Sequence, residues 1–283
     1  MSWFLLLSSC VFLSSYCLGS WFLCLDTCVF FSFIVETKQI RLLLLTARRQ
    51  TVPITGSMGK AEEYGRKERE LHREVLTGNE QISPGVFLLS VRRRFDFVPG
   101  QVVKLAVDRQ EPPRIYSVCS GSKEDELKIL YNVKEGGYLT PRLAGLDRGD
   151  EVLVSSPYGG FRGGEGPAWW VAAGTGIAPF YSMYRTGLAP GKHLVHGVSF
   201  LNQLYFRAEF EEALGPAYHP CCSREAAGGA FAGRVTDFLR SRDELPANEL
   251  WYLCGKALMV VEVRDLLIDR GIPYENIVAE IYF

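Results

Sequence analysis

No charge of one sign dominates this sequence. Lys and Arg number 31 against 32 Asp and Glu in 283 residues, so no field exists that would recruit nucleic acid. With no paired Cys-x-x-Cys among eight cysteines and only four histidines, neither a zinc site nor an iron–sulfur cluster is supported. Cys10, Cys17, Cys24 and Cys28 crowd the start of the chain, which leaves Cys119, Cys221, Cys222 and Cys254 for the rest. The body is therefore no disulfide scaffold.

The first 57 residues stand apart. Residues 3–35 carry a single charge, Asp26, over a run long enough to cross a bilayer, followed by Lys38, Arg41, Arg48 and Arg49. Two readings stand side by side. One is a signal anchor with a cytoplasmic body. The other is a cleaved leader or a start at Met58, where composition switches abruptly to charged residues. Membrane contact is expected only on the first reading, and a cytoplasmic location on either.

The length accommodates two ordinary domains. Short β-rich runs recur at residues 86–91, 101–107, 114–119, 127–133 and 151–154, separated by turn pairs such as Pro99-Gly100, Gly121-Ser122 and Gly136-Gly137. That spacing predicts an antiparallel barrel or sandwich over residues 58–163. From Ala168 the period changes. Strands near residues 169–173, 193–199, 217–223 and 250–254 alternate with helical stretches at 207–214, 234–240 and 256–270. Such alternation predicts a parallel sheet over residues 164–283, with ligands at the carboxyl ends of its strands. His193 and His196, three apart on a strand, point to opposite faces and read as structural, as does the vicinal pair Cys221-Cys222.

Five segments carry chemistry. Alternation along Arg114-Ile115-Tyr116-Ser117 sets Arg114 and Tyr116 opposite Ile115 and Ser117. Gly137-Tyr138-Leu139-Thr140 opens a helix, with Thr140 as a plain N-cap before Pro141. Gly174-Thr175-Gly176-Ile177-Ala178-Pro179 ends the first parallel strand. Its glycines allow close approach to a pyrophosphate, and a helix follows. Cys254-Gly255 ends another strand, with Met259 four residues later, and the chain closes on Glu280-Ile281-Tyr282-Phe283.

Together with Gly149-Asp150-Glu151-Val152 and Pro157-Tyr158-Gly159-Gly160-Phe161, these segments resemble, in order, the landmarks of the ferredoxin-NADP reductase family. The resemblance implies an antiparallel Greek-key FAD-binding β-barrel followed by a parallel-sheet nucleotide-binding domain. It implies that Arg114 pairs with the flavin pyrophosphate, Tyr116 lies against the isoalloxazine and Ser117 sits near N5. Ile115 lies in the same strand, and the helix opened by Gly137 to Thr140 lies under the phosphates. Gly174, Thr175, Gly176, Ala178 and Pro179 would meet the nicotinamide dinucleotide, as would Gly255 and Met259. Cys254 would border the hydride path with Ser117 and Glu280. Tyr282 or the additional Phe283 would cover the flavin face.

Ser223-Arg224 resembles the 2′-phosphate contact of NADPH-specific members and makes NADPH the expected nucleotide over NADH. Phe231 remains as a stacking ring, and Arg234 is the candidate second cation. The activity implied is electron transfer between NADPH and ferredoxin or flavodoxin. The alternatives are the reductase component of an oxygenase and a flavin-binding electron-transfer subunit of a larger complex.

Overall fold

The hydrophobic pattern resolves into two six-stranded sheets of opposite character. A computed structural model describes residues 69–225 and 228–282, all within the compact unit Arg66–Phe283. The apolar extension, Met58 and Phe283 lie outside the described residues. Among the described residues, no helix is long and apolar enough to cross a membrane.

The first sheet contains β1 (Leu71–Ser83), β2 (Val86–Arg92), β3 (Val102–Ala106), β4 (Arg114–Ser117), β5 (Glu126–Asn132) and β6 (Glu151–Ser155) in the order β4-β3-β6-β1-β2-β5. Its paired neighbours are antiparallel. The longest strand, β1, is not visible in the sequence pattern. Leu76 is its single fully buried residue, and the register slips between Leu76 and Gly78. Pairing to β2 on one side and β6 on the other, rather than alternation, makes it a strand.

The barrel expected from the resemblance is not closed by a ladder. The outer strands β4 and β5 meet through one isolated bridge, Val118 to Ile129. Just past β4 the chain changes partners: Val118 N–H donates to the Gln101 carbonyl of the β3 side, while Cys119 N–H donates to Lys128 on β5. Leu89, Val103, Leu105, Ile129 and Leu143 fill the interior.

The second sheet runs β10-β9-β8-β7-β11-β12, formed by β7 (Ala168–Ala173), β8 (Lys192–Val198), β9 (Tyr218–Cys222), β10 (Phe231–Ala232), β11 (Leu250–Lys256) and β12 (Ile277–Tyr282). Every pairing is parallel. Among the described residues the α-helices are α1 (Leu139–Ala144), α2 (Ala178–Arg185), α3 (Arg207–Leu214), α4 (Val235–Arg240) and α5 (Ala257–Asp269).

Both faces of this sheet are covered, so its strands read as continuous apolar runs. Trp170 packs on one face with Phe180 and Met183, and Trp169 on the other with Trp251 and Leu239. Burying one indole removes roughly 200 Å² from water, about 5 kcal/mol at 25 cal/mol per Å². His193 stacks on Trp169 at 4.4 Å while His196 faces the Tyr218 hydroxyl at 3.1 Å, on opposite faces as expected.

Helix α2 joins the sheets. Ser182 Oγ donates to the Ser120 carbonyl at 2.7 Å, Ser122 N–H donates to Thr186 Oγ1 at 3.0 Å, and Arg185 pairs with Glu124 at 3.0 Å. A Cβ on Gly121 would lie 2.7 Å from the Arg185 carbonyl oxygen, so only glycine permits this approach. The contact fixes the end of β4 relative to the ends of β11 and β12.

Candidate functional site

Parallel pairing of β11 with β12 sets Cys254 beside Glu280 and Lys256 beside Tyr282. Against them stands the last residue of β4. Ser117 Oγ donates to Glu280 Oε1 at 2.6 Å, and the Tyr282 hydroxyl donates to Ser117 Oγ at 2.7 Å. Cys254 stands beside Glu280 in the β11–β12 ladder. Three hydrogen-bonded residues and the adjoining thiol, from three strands and both sheets, thus meet in one largely buried place.

Burial governs the electrostatics here. It raises the Glu280 carboxyl above the ordinary range, and the Ser117 hydrogen bond partly opposes this. Burial also pushes the Cys254 thiol well up, assisted by the Glu280 charge. Tyr282 is raised by burial first and then by Cys254 and Glu280. Thiol and phenol therefore stay neutral at physiological pH, and Glu280 is the one carboxyl of the group.

The nucleotide turn behaves differently from its sequence reading. Gly174–Ile177 form a 3-10 turn, and α2 begins only at Ala178, with Pro179 in its first turn. Gly174 has φ +56° and open space where a Cβ would stand. Gly176 is needed for another reason: its Cβ would collide with the Cys254 carbonyl oxygen and lie 2.7 Å from the carbonyl carbon. A Cβ on Gly255 would in turn fall 2.9 Å from Met259 Cε. The Gly-Thr-Gly and Cys-Gly-x-x-x-Met segments are therefore packed against each other.

On β4 the expected alternation is present. Tyr116 packs against the interior of the first sheet, its hydroxyl pushed up to about 12 by burial, while Ser117 points to the other side. Arg114 is exposed and makes no ion pair among the described residues, and Ile115 is 59% exposed. Thr140 is not an N-cap. Helix α1 starts two residues earlier than that cap requires, at Leu139, with Tyr138 at the cap position, and Thr140 Oγ1 accepts from Lys134 N–H at 2.8 Å. The reason is the Gly136-Gly137 turn, which brings the Lys134 amide onto the hydroxyl. Asp108 and Arg142, unremarked in the sequence, tie this turn down: Asp108 accepts from Tyr138 at 3.0 Å and from Arg142 at 2.6 Å.

Ser223 and Arg224 lie exposed at the end of β9, with Arg224 N–H donating to the Ser199 carbonyl at 3.1 Å. Phe231 is not the available ring. It turns inward and meets Phe238 edge-on at 5.5 Å. Phe200 lies under the Arg224 guanidinium instead, 5.5 Å from its carbon. Nothing in the sequence marked Phe200, because the loop bearing it is distant in the chain. Arg234 lines a groove of mixed charge with Asp237, Arg240, Glu262, Asp269 and Arg270. Tyr158, part of a landmark segment but given no role in the sequence reading, has its hydroxyl buried without a partner among the described residues.

Residues 170–265 match the family described as oxidoreductase NAD-binding domain. The flavodoxin/ferredoxin–NADP reductase of Escherichia coli (strain K12) is 31% identical over 189 residues, covering 58% of this chain and 76% of that protein. The propane 2-monooxygenase reductase component of Mycolicibacterium goodii is 30% identical over 204 residues, covering 65% of this chain; the chain spans only 58% of that relative. Among solved structures, a ferredoxin NADP+ reductase from Neisseria gonorrhoeae with bound FAD and NADP has the same fold. Its TM-score is 0.69 at 23% identity, with 76% of this chain and 100% of that chain covered.

Proposed function

Because the chain belongs to the ferredoxin-NADP reductase family, we propose that it is an FAD-dependent oxidoreductase passing electrons between NADPH and a separate one-electron carrier protein. The observation that carries this reading is the group formed by Ser117, Cys254, Glu280 and Tyr282, drawn from the ends of strands in both sheets.

The donor set fits FAD. An exposed, unpaired Arg114 suits a pyrophosphate, and the exposed Ile115 beside it suits an apolar ring. At Gly136 and Gly160 a Cβ would meet nothing within 4 Å, leaving room along both loops. NADPH is accommodated by the open Gly174 turn and by Ser223, Arg224 and Phe200. A guanidinium and a hydroxyl favour the 2′-phosphate over the bare ribose of NADH. When bound, FAD would supply the redox chemistry that links two-electron hydride donation to one-electron delivery.

The protein contributes position, dryness and a proton path. Uncharged Cys254 keeps water from the end of β11 without placing charge there. Ser117 accepts from Tyr282 while donating to Glu280. A proton held on the Glu280 carboxyl therefore exchanges with the site through Ser117 Oγ. Burial raises the affinity of Glu280 for that proton above that of a free carboxylate, which suits a group that both takes up and returns it.

Two acceptor classes are supported by relatives: ferredoxin or flavodoxin by the E. coli reductase, and an oxygenase by the propane 2-monooxygenase component. The test is to purify the chain and record its visible spectrum and FAD content. Anaerobic reduction by NADPH and by NADH follows, and then electron delivery to ferredoxin, flavodoxin and an oxygenase component. One FAD per chain with faster reduction by NADPH is expected. A folded, colourless protein would defeat the reading.

A further inference from the structure

Between β8 and α3 the chain turns at Ser199-Phe200-Leu201, and this turn is tied down on both sides of Phe200. Gln203 Oε1 accepts from the Ser199 and Phe200 amides, each at 3.1 Å, and Glu225 Oε2 accepts from the Leu201 amide at 2.6 Å. The Ser199 carbonyl accepts from Arg224 N–H at 3.1 Å and from the Cys222 thiol at 3.2 Å. Leu201 packs with Val198, Leu204 and Cys222. The turn is therefore fixed against the end of β9.

Phe200 takes no part in that packing. Its side chain is 39% exposed and joins none of the buried clusters among the described residues, so core burial does not account for an aromatic ring here. What the ring meets is the Arg224 guanidinium, whose carbon lies 5.5 Å from its centroid. Among the described residues the Arg224 side chain makes no hydrogen bond or ion pair. The nearest carboxylate in the chain, Glu225, is taken up by the Leu201 amide instead. The result is a cation left unneutralised at a strand end, with an aromatic face under it. An arginine loses rotamer freedom when it grips a phosphate. A stack that holds the planar fork beforehand removes part of that cost.

We propose that Phe200 is a specificity-determining positioning residue, whose ring holds the Arg224 guanidinium at the end of β9 ready for the 2′-phosphate of NADPH, while Glu225 anchors the turn that carries the ring. The assignment rests on the reading that NADPH is the nucleotide and that Arg224 meets its 2′-phosphate. A nucleotide with a free 2′-hydroxyl gains nothing from the arrangement.

Adenosine 2′,5′-bisphosphate and AMP differ in that phosphate alone, and each can be titrated calorimetrically into the full chain. Phe200→Leu should weaken the bisphosphate about twofold to fivefold, the scale of one exposed cation–π contact, and leave AMP level. Phe200→Tyr keeps a ring and should bind as the unmutated protein does. In an Arg224→Ala background, Phe200→Leu should have no further effect. In steady-state reduction, KM for NADPH should rise by the same factor while kcat holds. Equal weakening of the bisphosphate and AMP would overturn the proposal, because the ring would then touch the adenine or shape the turn. So would an undiminished effect without Arg224, or no effect at all. An unmutated chain that binds the bisphosphate no tighter than AMP would defeat the NADPH reading and this proposal together.

Discussion

The two sheets build the site in different ways. The antiparallel sheet offers an edge strand: Arg114 and Ile115 on β4 project into solvent, and only Ser117 is buried. The parallel sheet offers strand ends, where Cys254 is wholly buried and the Gly174–Ile177 turn packs on the Cys254-Gly255 backbone. On the edge, Arg114 and Ile115 carry almost none of the core. At the strand ends, the same backbone that shapes the nucleotide site also closes the packing between β7 and β11. Substitutions on β4 should therefore separate binding from stability, and substitutions at the strand ends should not.

The largest cost is expected at Gly176. In Gly176→Ala the new methyl meets carbonyl atoms of Cys254 that cannot rotate away, and overpacking of this kind costs about 1–3 kcal/mol or more. Gly174→Ala meets open space and carries only the strain of φ +56°, about 1–2 kcal/mol. Urea unfolding of both variants measures the gap. A Gly176→Ala midpoint equal to that of the unmutated protein would erase the distinction between edge and strand end.

Acid should come next, again through the parallel sheet. Burial holds His196 down at about 3 and His219 at about 4, against an ordinary value of 6.5. A depressed histidine keeps its neutral form in the fold, so its contribution is complete above pH 6.5 and is lost as pH falls toward those values. His196→Leu should flatten the fall in thermal midpoint between pH 6.5 and pH 4. Glu280 acts with the opposite sign. Its raised carboxyl contributes stability that is complete below the ordinary value of 4.5 and is lost as pH rises through the folded value. Glu280→Gln should thus stabilise the protein at neutral pH, as thermal melts at pH 7 would reveal, even while electron transfer suffers.

Ser117→Ala is expected to cost little stability and to leave FAD bound. Hydride transfer in stopped-flow reduction should slow by roughly a hundredfold. Without the Ser117 donor, the Glu280 carboxyl should titrate at still higher pH, which the rate profile would show. Cys254→Ser should likewise lower the reduction rate more than NADPH affinity, and equal losses in both would favour a packing role for the thiol.

The smallest effect on stability belongs to Arg114→Ala, where the side chain is exposed and unpaired among the described residues. FAD affinity should nevertheless drop about tenfold to hundredfold, the scale of one charge-assisted hydrogen bond, with an unchanged apoprotein melting point. Arg224→Ala should behave alike toward NADPH, raising its KM while NADH kinetics stay level. A melting point lowered by either change would mean that the exposed cations hold the fold together.

Local pattern was sufficient wherever burial repeats with a short period. The alternation of Arg114 to Ser117, the strand-to-turn change at Gly174 and the helix at Arg207–Leu214 are all legible from a few neighbouring residues. Strand β1 was not, because it gains its pairing from β2 and β6 rather than from its own polar sequence. Phe231 leaves its expected place, and Phe200 stands by Arg224 instead, for a similar reason: which aromatic ring faces solvent depends on what packs beneath it, here Phe238 under Phe231.

By itself, then, the sequence determined the kind of each sheet and the residue types at the site, since strand and helix periods and turn glycines act over a few residues. The tertiary structure decided which of those residues meet. Ser117 and Glu280 stand 163 positions apart, and they touch because Gly121 lets α2 lie against the first sheet while Gly176 lets the β7 turn lie against β11. It also decided that Thr140 holds the Lys134 amide and that the Tyr158 hydroxyl lacks a partner among the described residues. These outcomes depend on close packing between distant elements, and close packing leaves no period in the chain.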